Sequence, residues 1–301
     1  MSKRSIMHMF TPMTHTSPFD INMAIDAGYD TAFPHPTVKL SEVANMTQDV
    51  IFSRGPSGVK RTGIFIGGRD IGVAMDMLDA AKTSMVPPFE VSVFADPSGA
   101  FTTAAALVAC VERELTNKTQ QGFKGIKAIV FGGTGPVGLA TAVIAAEQGA
   151  DTTIVDHFSL DTALDFAAEA KRRYNVNLTA TTAASDADKA RLIADADVVF
   201  CTAKAGVQVL NTSVLSDAKQ LKVAGDVNAV PPLGIEGVNL MDSGAPLVHA
   251  INSKGAVAVG ALAVGNVKYN LQHELLRQTL ESDGSVYLDF RDAFENARKL
   301  V

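Results

Sequence analysis

Cysteine is scarce in this chain. Two stand among 301 residues, Cys110 and Cys201. They lie far apart, neither belongs to a C-x-x-C pair, and both sit in alanine- and valine-rich surroundings. That pattern reads as two reduced, buried thiols and not as a disulfide framework. Basic clusters of nucleic-acid character are missing too. Net charge is −6 and the pI is near 5.5, so nucleic acid is not an expected partner. No stretch approaches the roughly 20 uninterrupted apolar residues of a membrane helix. The basic start Met1-Ser2-Lys3-Arg4 leads into an apolar run broken by His8, Pro12 and His15, which is too short and too polar for a signal peptide. A cytoplasmic setting away from membranes is the expectation. Metal-ligand spacing is absent as well: His8, His15, His35, His157, His249 and His273 form no H-x-x-x-H or H-E-x-x-H pair. No metal is expected, and neither a P-loop nor a G-x-S-x-G elbow occurs.

What is present is a large apolar fraction, 47%, on a length that suits two domains. Turn residues and apolar runs give an α/β reading. Ser5 to Phe10 reads as a strand. Ser17 then caps a helix with Pro18 at its first position and an acid, Asp20, three places on. Val50–Ser53, Thr62–Ile66 and Phe89–Ala95 read as strands, and Asp70 caps a helix over Ile71–Ser84. Thr102–Leu115 is a long alanine-rich helix, and polar residues 116–125 close it. From Ile126 onward strands alternate with helices: Ala128–Phe131, Val137–Gln148, Thr152–Val155, Leu160–Tyr174, Leu178–Thr182, Ala187–Ala194, Val198–Cys201 and Leu221–Ala224. That spacing implies a doubly wound parallel sheet. Residues 255–265 read as a buried strand and turn, and helices follow over Val267–Ser282 and Phe290–Leu300. The expected organisation is a Rossmann dinucleotide-binding domain over 113–265. A smaller α/β substrate domain spans 1–112 and is completed by 266–301.

The chemistry is carried by one loop. Gly133-Thr134-Gly135-Pro136-Val137-Gly138 follows an apolar strand and opens a helix. Gly133 permits the tight turn, Gly135 lets the backbone approach a pyrophosphate, and Gly138 lets helix and sheet pack closely. Asp156 ends the next strand about 20 residues on, where an acid bonds the ribose 2′-hydroxyl of NAD and repels the 2′-phosphate of NADP. His157, not an arginine, follows it. NAD is the expected cofactor, with NADP left open. Gly67-Gly68-x-x-x-Gly72 lacks the G-x-G step and reads as a plain strand-to-helix turn.

Several longer pieces resemble a known family. They are Ser17-Pro18-Phe19-Asp20, Phe94-Ala95-Asp96-Pro97, Phe101-Thr102-Thr103, the loop from Gly132 to Gly138, Asp226-Val227-Asn228-Ala229-Val230-Pro231-Pro232, and the stretch Gly260–Lys268. Together they are similar to the methylene-tetrahydromethanopterin dehydrogenases of methylotrophic bacteria, the branch accepting NAD or NADP. The resemblance covers essentially the whole chain. It implies hydride transfer from methylene-tetrahydromethanopterin to NAD(P)⁺ within formaldehyde oxidation, a pterin substrate and a homo-oligomer. Lys268 falls on the family's proposed active-site lysine. Phe19, Asp20, Asp96, Phe101 and Thr102 are the implied pterin contacts, and Asn228 joins the loop, Asp156 and His157 toward the cofactor. No Tyr-x-x-x-Lys occurs, so the cyclohydrolase step of distant folate relatives is not expected. The alternatives are a methylene-tetrahydrofolate dehydrogenase and a non-catalytic module that senses NAD(P)H.

Overall fold

Strand–helix alternation runs the length of the protein in the computed structural model, which describes residues 3–301. In chain order the elements are β1 (Ile6–Phe10), α1 (Pro18–Asp26), β2 (Thr31–His35), α2 (Leu40–Phe52), α3 (Pro56–Val59), β3 (Thr62–Ile66), α4 (Ile71–Thr83), β4 (Ser92–Ala95) and α5 (Ala100–Thr119). They continue with β5 (Lys127–Phe131), α6 (Pro136–Glu147), β6 (Asp151–Asp156), α7 (Leu160–Tyr174), β7 (Thr179–Thr182), α8 (Asp186–Ile193), β8 (Val198–Cys201), α9 (Thr212–Ser216) and β9 (Val223–Asp226). The last are β10 (Ser243–Pro246), β11 (Val257–Val259), α10 (Ala261–Glu281), β12 (Tyr287–Leu288) and α11 (Phe290–Ala297). No helix among the described residues is long and apolar enough to cross a membrane.

Two compact units result. One ends at Thr102 and resumes over Tyr269–Asn296; the other comprises Thr103–Lys268 with Ala297–Val301. These limits differ from the expected boundaries after residues 112 and 265. All three crossings lie inside helices: after Thr102 in α5, after Lys268 in α10, and after Asn296 at the end of α11.

The first unit holds a five-stranded sheet in the order β12-β4-β3-β1-β2. All its pairs are parallel. β3 is buried at all five positions, as an inner parallel strand covered on both faces must be. Three readings of this unit change. Val50–Ser53 is not a strand but the end of α2. Val43, Thr47, Val50 and Ile51 are the buried residues of that helix, a stripe at helical spacing that outweighs the β-branched pair. β2 was not among the expected strands; Pro34 lies within it, and β2 is an edge strand, where a proline is tolerated. The strand expected at Phe89 starts only at Ser92.

The second unit holds seven strands in the order β10-β11-β9-β8-β5-β6-β7. Every pair is parallel except β10 with β11, so the expected parallel sheet carries one antiparallel edge. α6 is buried from Gly138 through Ala145, which follows from a sequence of Ala, Val, Leu and Ile on every face. The strand and turn expected over 255–265 shrink to β11. α10 then begins at Ala261, six residues before the expected start at Val267.

Candidate active site

In each sheet the chain starts near the middle, winds outward one way, and then crosses back to wind the other way. The crossing lies between β1 and β3 in the first unit and between β5 and β8 in the second. Crevices at the carboxyl ends of such strands are where open α/β sheets bind ligands.

At the second crossing, β5 ends at Phe131 and α6 begins at Pro136, so the turn is Gly132-Gly133-Thr134-Gly135. Gly132 has φ +73°, a left-handed conformation that favours glycine. A Cβ there would lie 2.8 Å from the Thr202 carbonyl oxygen and the Ala203 nitrogen. A Cβ on Gly133 would lie 2.6 Å from the Ile154 side chain, and one on Gly138 would run into the Gly132 carbonyl. Gly135 differs: its added Cβ meets only the Gly132 oxygen, at 3.3 Å. Gly133 and Gly138 are thus required by packing inside the protein, and Gly135 is the least hemmed in of the three, with one backbone oxygen close by. Pro136 takes the first position of α6, where the missing N–H costs nothing. The next amides, of Val137 and Gly138, belong to a first turn that has no intrahelical carbonyl for them. The result is a concave, anion-favouring backbone at a helix N-terminus. The residues therefore fit a dinucleotide pyrophosphate.

Thr202, which the sequence did not single out, ties this crevice together. Its hydroxyl donates to the Phe131 carbonyl at 2.8 Å. Asp156 closes the far end of β6. Its Oδ2 accepts the Thr134 hydroxyl at 2.6 Å, and its Oδ1 accepts the N–H groups of Phe158 and Ser159 at 2.8 and 2.9 Å. Burial alone would raise this carboxyl. The hydroxyl of Thr134, the two amides and neighbouring His157 outweigh it and hold the group below the usual aspartate range. His157 Nδ1 lies 3.3 Å from the Ala183 carbonyl, and its ring meets Phe158 edge-on. Phe158 is 89% exposed.

Asn228, expected at the cofactor, braces a loop. It is buried, its Oδ1 accepts the amides of Gly206 and Val230, and its Nδ2 donates to the Pro232 carbonyl. Its side chain organises the loop between β9 and the Ile235 turn. Asp226 does the same from below, accepting the amides of Asn228 and Ile235 at 2.9 Å each. Burial pushes its carboxyl above the ordinary range, partly offset by those amides. Much of the distinctive Asp226–Pro232 motif is therefore loop architecture.

At the first crossing lies a recess of about 90 Å³. The turn after β1 supplies Thr11 and His15, the turn after β3 supplies Gly67, Gly68 and Arg69, and Asp20 and Ser98 complete the wall. The Gly67-Gly68 turn, read from sequence as plain, is part of this wall. Asp20 is buried, and Gln272 Nε2 donates to its Oδ1 at 2.8 Å. Ser17 takes the expected cap position of α1, yet its side chain makes no capping bond; Asp20 is turned toward Gln272. Phe19, beside it, is 46% exposed.

The other expected pterin contacts lie deeper. Asp96 is fully buried. It accepts the amides of Phe101 and Thr102 and the Thr102 hydroxyl, at 2.9, 3.2 and 2.6 Å, and so caps the start of α5. Phe101 is fully buried with its ring edge-on to Phe290. A ring without exposed surface offers no face to a pterin in this conformation. Lys268 is half-buried at the eighth position of α10, not at a helix start, one turn ahead of Gln272. Among the described residues, no group of three or more His, Cys, Asp or Glu could hold a metal.

Comparison with known proteins gives these crevices a family. Residues 18–98 match the model of the N-terminal region of methylene-tetrahydromethanopterin dehydrogenase. The NAD(P)-dependent methylenetetrahydromethanopterin dehydrogenase of Methylorubrum extorquens is 46% identical over 298 residues, 99% of either chain. The chain belongs to the methylene-tetrahydromethanopterin dehydrogenase family. The bifunctional protein MdtA of the same organism is 32% identical over the full length of both chains. Among solved structures, the shikimate 5-dehydrogenase of Listeria monocytogenes superposes with a TM-score of 0.54. It is 10% identical and matches over 99% of this chain and 96% of that one, a likeness of fold.

Proposed function

We propose that this family member oxidises methylene-tetrahydromethanopterin to the methenyl form with NAD(P)⁺, as a step of one-carbon metabolism in the cytoplasm, and that it works as a homo-oligomer. The observation that carries the reading is full-length similarity, at 46% identity, to an enzyme of that name. The glycine loop supports it by fitting the pyrophosphate. A dinucleotide held there would supply its nicotinamide as the hydride acceptor.

The protein has little acid–base work to do. The reacting carbon lies between two nitrogens whose lone pairs stabilise the amidinium product, and no proton leaves it. The task is to hold that carbon in a near-attack pose. The residues of the first recess suit a pterin. Asp20 accepts from the amino and ring N–H groups, Arg69 pairs with the carbonyl or an acidic tail, and exposed Phe19 covers a ring face. Lys268 acts by positioning, since a fixed positive charge beside the forming amidinium would oppose the step. In the second unit, the amides opening α6 bind the pyrophosphate and Asp156 binds the ribose.

The test is spectrophotometric, with purified protein, methylene-tetrahydromethanopterin or methylene-tetrahydrofolate as donor, and NAD⁺ or NADP⁺ as acceptor. The reading expects reduced nicotinamide with the methanopterin donor. Turnover confined to the folate donor, or cofactor binding with neither donor oxidised, would replace it.

A further inference from the structure

The crest of the glycine loop is bonded to the acid of the next strand, 22 positions away. Thr134 Oγ1 donates to Asp156 Oδ2 at 2.6 Å. The other oxygen, Oδ1, already accepts the amides of Phe158 and Ser159. Two amides on Oδ1 restrain the turn of the carboxylate about Cβ–Cγ from one side only. The Thr134 bond holds the other oxygen and restrains the plane from the opposite side as well. An ionised carboxylate has about four acceptor sites. Three are taken by the chain itself, and one remains for a ribose hydroxyl.

We infer that Thr134 is a positioning residue that sets the choice between NAD and NADP by locking the plane of Asp156. The inference rests on the reading of this loop as the dinucleotide site. A locked carboxylate presents its last acceptor site to the 2′-hydroxyl and cannot swing its charge away from a 2′-phosphate. Released, it gives a weaker bond to NAD and a smaller repulsion of NADP. Both changes lower discrimination, whereas a side chain that merely shaped the turn would affect the two cofactors alike.

The test is titration calorimetry of NAD⁺ and NADP⁺, without pterin, on the wild type, Thr134→Val and Thr134→Ser. Thr134→Val removes the hydroxyl at nearly constant volume, and thermal unfolding checks that it folds. The ratio of the NADP⁺ to the NAD⁺ dissociation constant is expected to fall about 5–10-fold in Thr134→Val, the size of one net hydrogen bond. Thr134→Ser is expected to restore it. A ratio unchanged in Thr134→Val, whether both constants rise together or neither moves, would overturn the inference while leaving the loop assignment intact. A wild type that binds neither dinucleotide would overturn the loop assignment itself.

Discussion

The two crevices share a topology and differ in their turns. Each opens where a parallel sheet reverses its winding, between β1 and β3 in the first unit and between β5 and β8 in the second. At β5 the turn is Gly132-Gly133-Thr134-Gly135, and what it offers is backbone. At β1 the turn from Thr11 to Ser17 contains Thr11, Thr14, His15, Thr16 and Ser17, and what it offers is side chains. Backbone amides at a helix end recognise an anion whatever it is attached to. Side chains around a recess recognise the donor and acceptor pattern of one molecule. On the proposed reading, the same sheet geometry serves a common cofactor in one unit and a particular substrate in the other.

The strongest way to break this comparison is to put a side chain where only backbone belongs. Gly135→Val places a branched group at the loop glycine whose added Cβ meets the fewest protein atoms, the Gly132 oxygen at 3.3 Å. Cofactor affinity is expected to fall more than about 100-fold, since pyrophosphate and side chain would compete for one volume. The unfolding temperature should change little. Calorimetry and a thermal melt on one preparation check both; an unchanged NAD⁺ dissociation constant would remove the loop assignment.

Lys268→Ala is expected to lower kcat/KM for the pterin about 100-fold, the scale of a positioning error near 1 Å, with the NAD⁺ dissociation constant unchanged. Turnover within a few-fold of wild type would make this lysine an ordinary helix residue. Asp20→Asn keeps an acceptor for Gln272 and removes the charge. A roughly 10-fold rise in the pterin KM is expected, the size of one charge-assisted bond, with little change toward NAD⁺. Equal losses toward both ligands would show that Asp20 acts through the fold.

The smallest expected effect is an absence. The Asp156 carboxyl lies below the usual aspartate range, so it stays ionised as pH falls to 5, and its contribution is lost only on further acidification through its own pKa. The ratio of NAD⁺ affinities between wild type and Asp156→Asn should therefore be level from pH 8 to 5. A ratio that collapses toward unity by pH 6 would place the group above, not below, its ordinary value.

The second unit was more legible in the sequence than the first, for a physical reason. Glycines in a strand–turn–helix setting report backbone constraints that any side chain would violate, as Gly133 and Gly138 do here. α7 was read to the residue because its ends carry a strong cap and a break: Ser159 accepts the Thr162 amide, and Asn175 takes a left-handed φ. The first recess had no such signal. Arg69 and His15 come from turns whose meaning appears only when β1 and β3 lie side by side. Asp96, Phe101 and Asn228 stood in distinctive motifs, yet the chain uses their side chains for a helix cap, a ring contact in the core and a loop brace. A distinctive motif reports constraint, and the constraint can be architectural. The end of α2 was misread because local propensity, a Val-Ile pair, outweighed a pattern that tertiary packing later decides, and β2 drew no reading at all.

On the proposed reading, the two crevices bind two different ligands. The most direct measurement is a crossed titration of Gly135→Val and Asp20→Asn, each with NAD⁺ and with tetrahydromethanopterin, by calorimetry. The expected result is a single loss in each protein: Gly135→Val loses the dinucleotide and keeps the pterin, and Asp20→Asn weakens the pterin and keeps the dinucleotide. If Gly135→Val loses both ligands, or Asp20→Asn binds the pterin like wild type, the division of labour between the two crevices is contradicted.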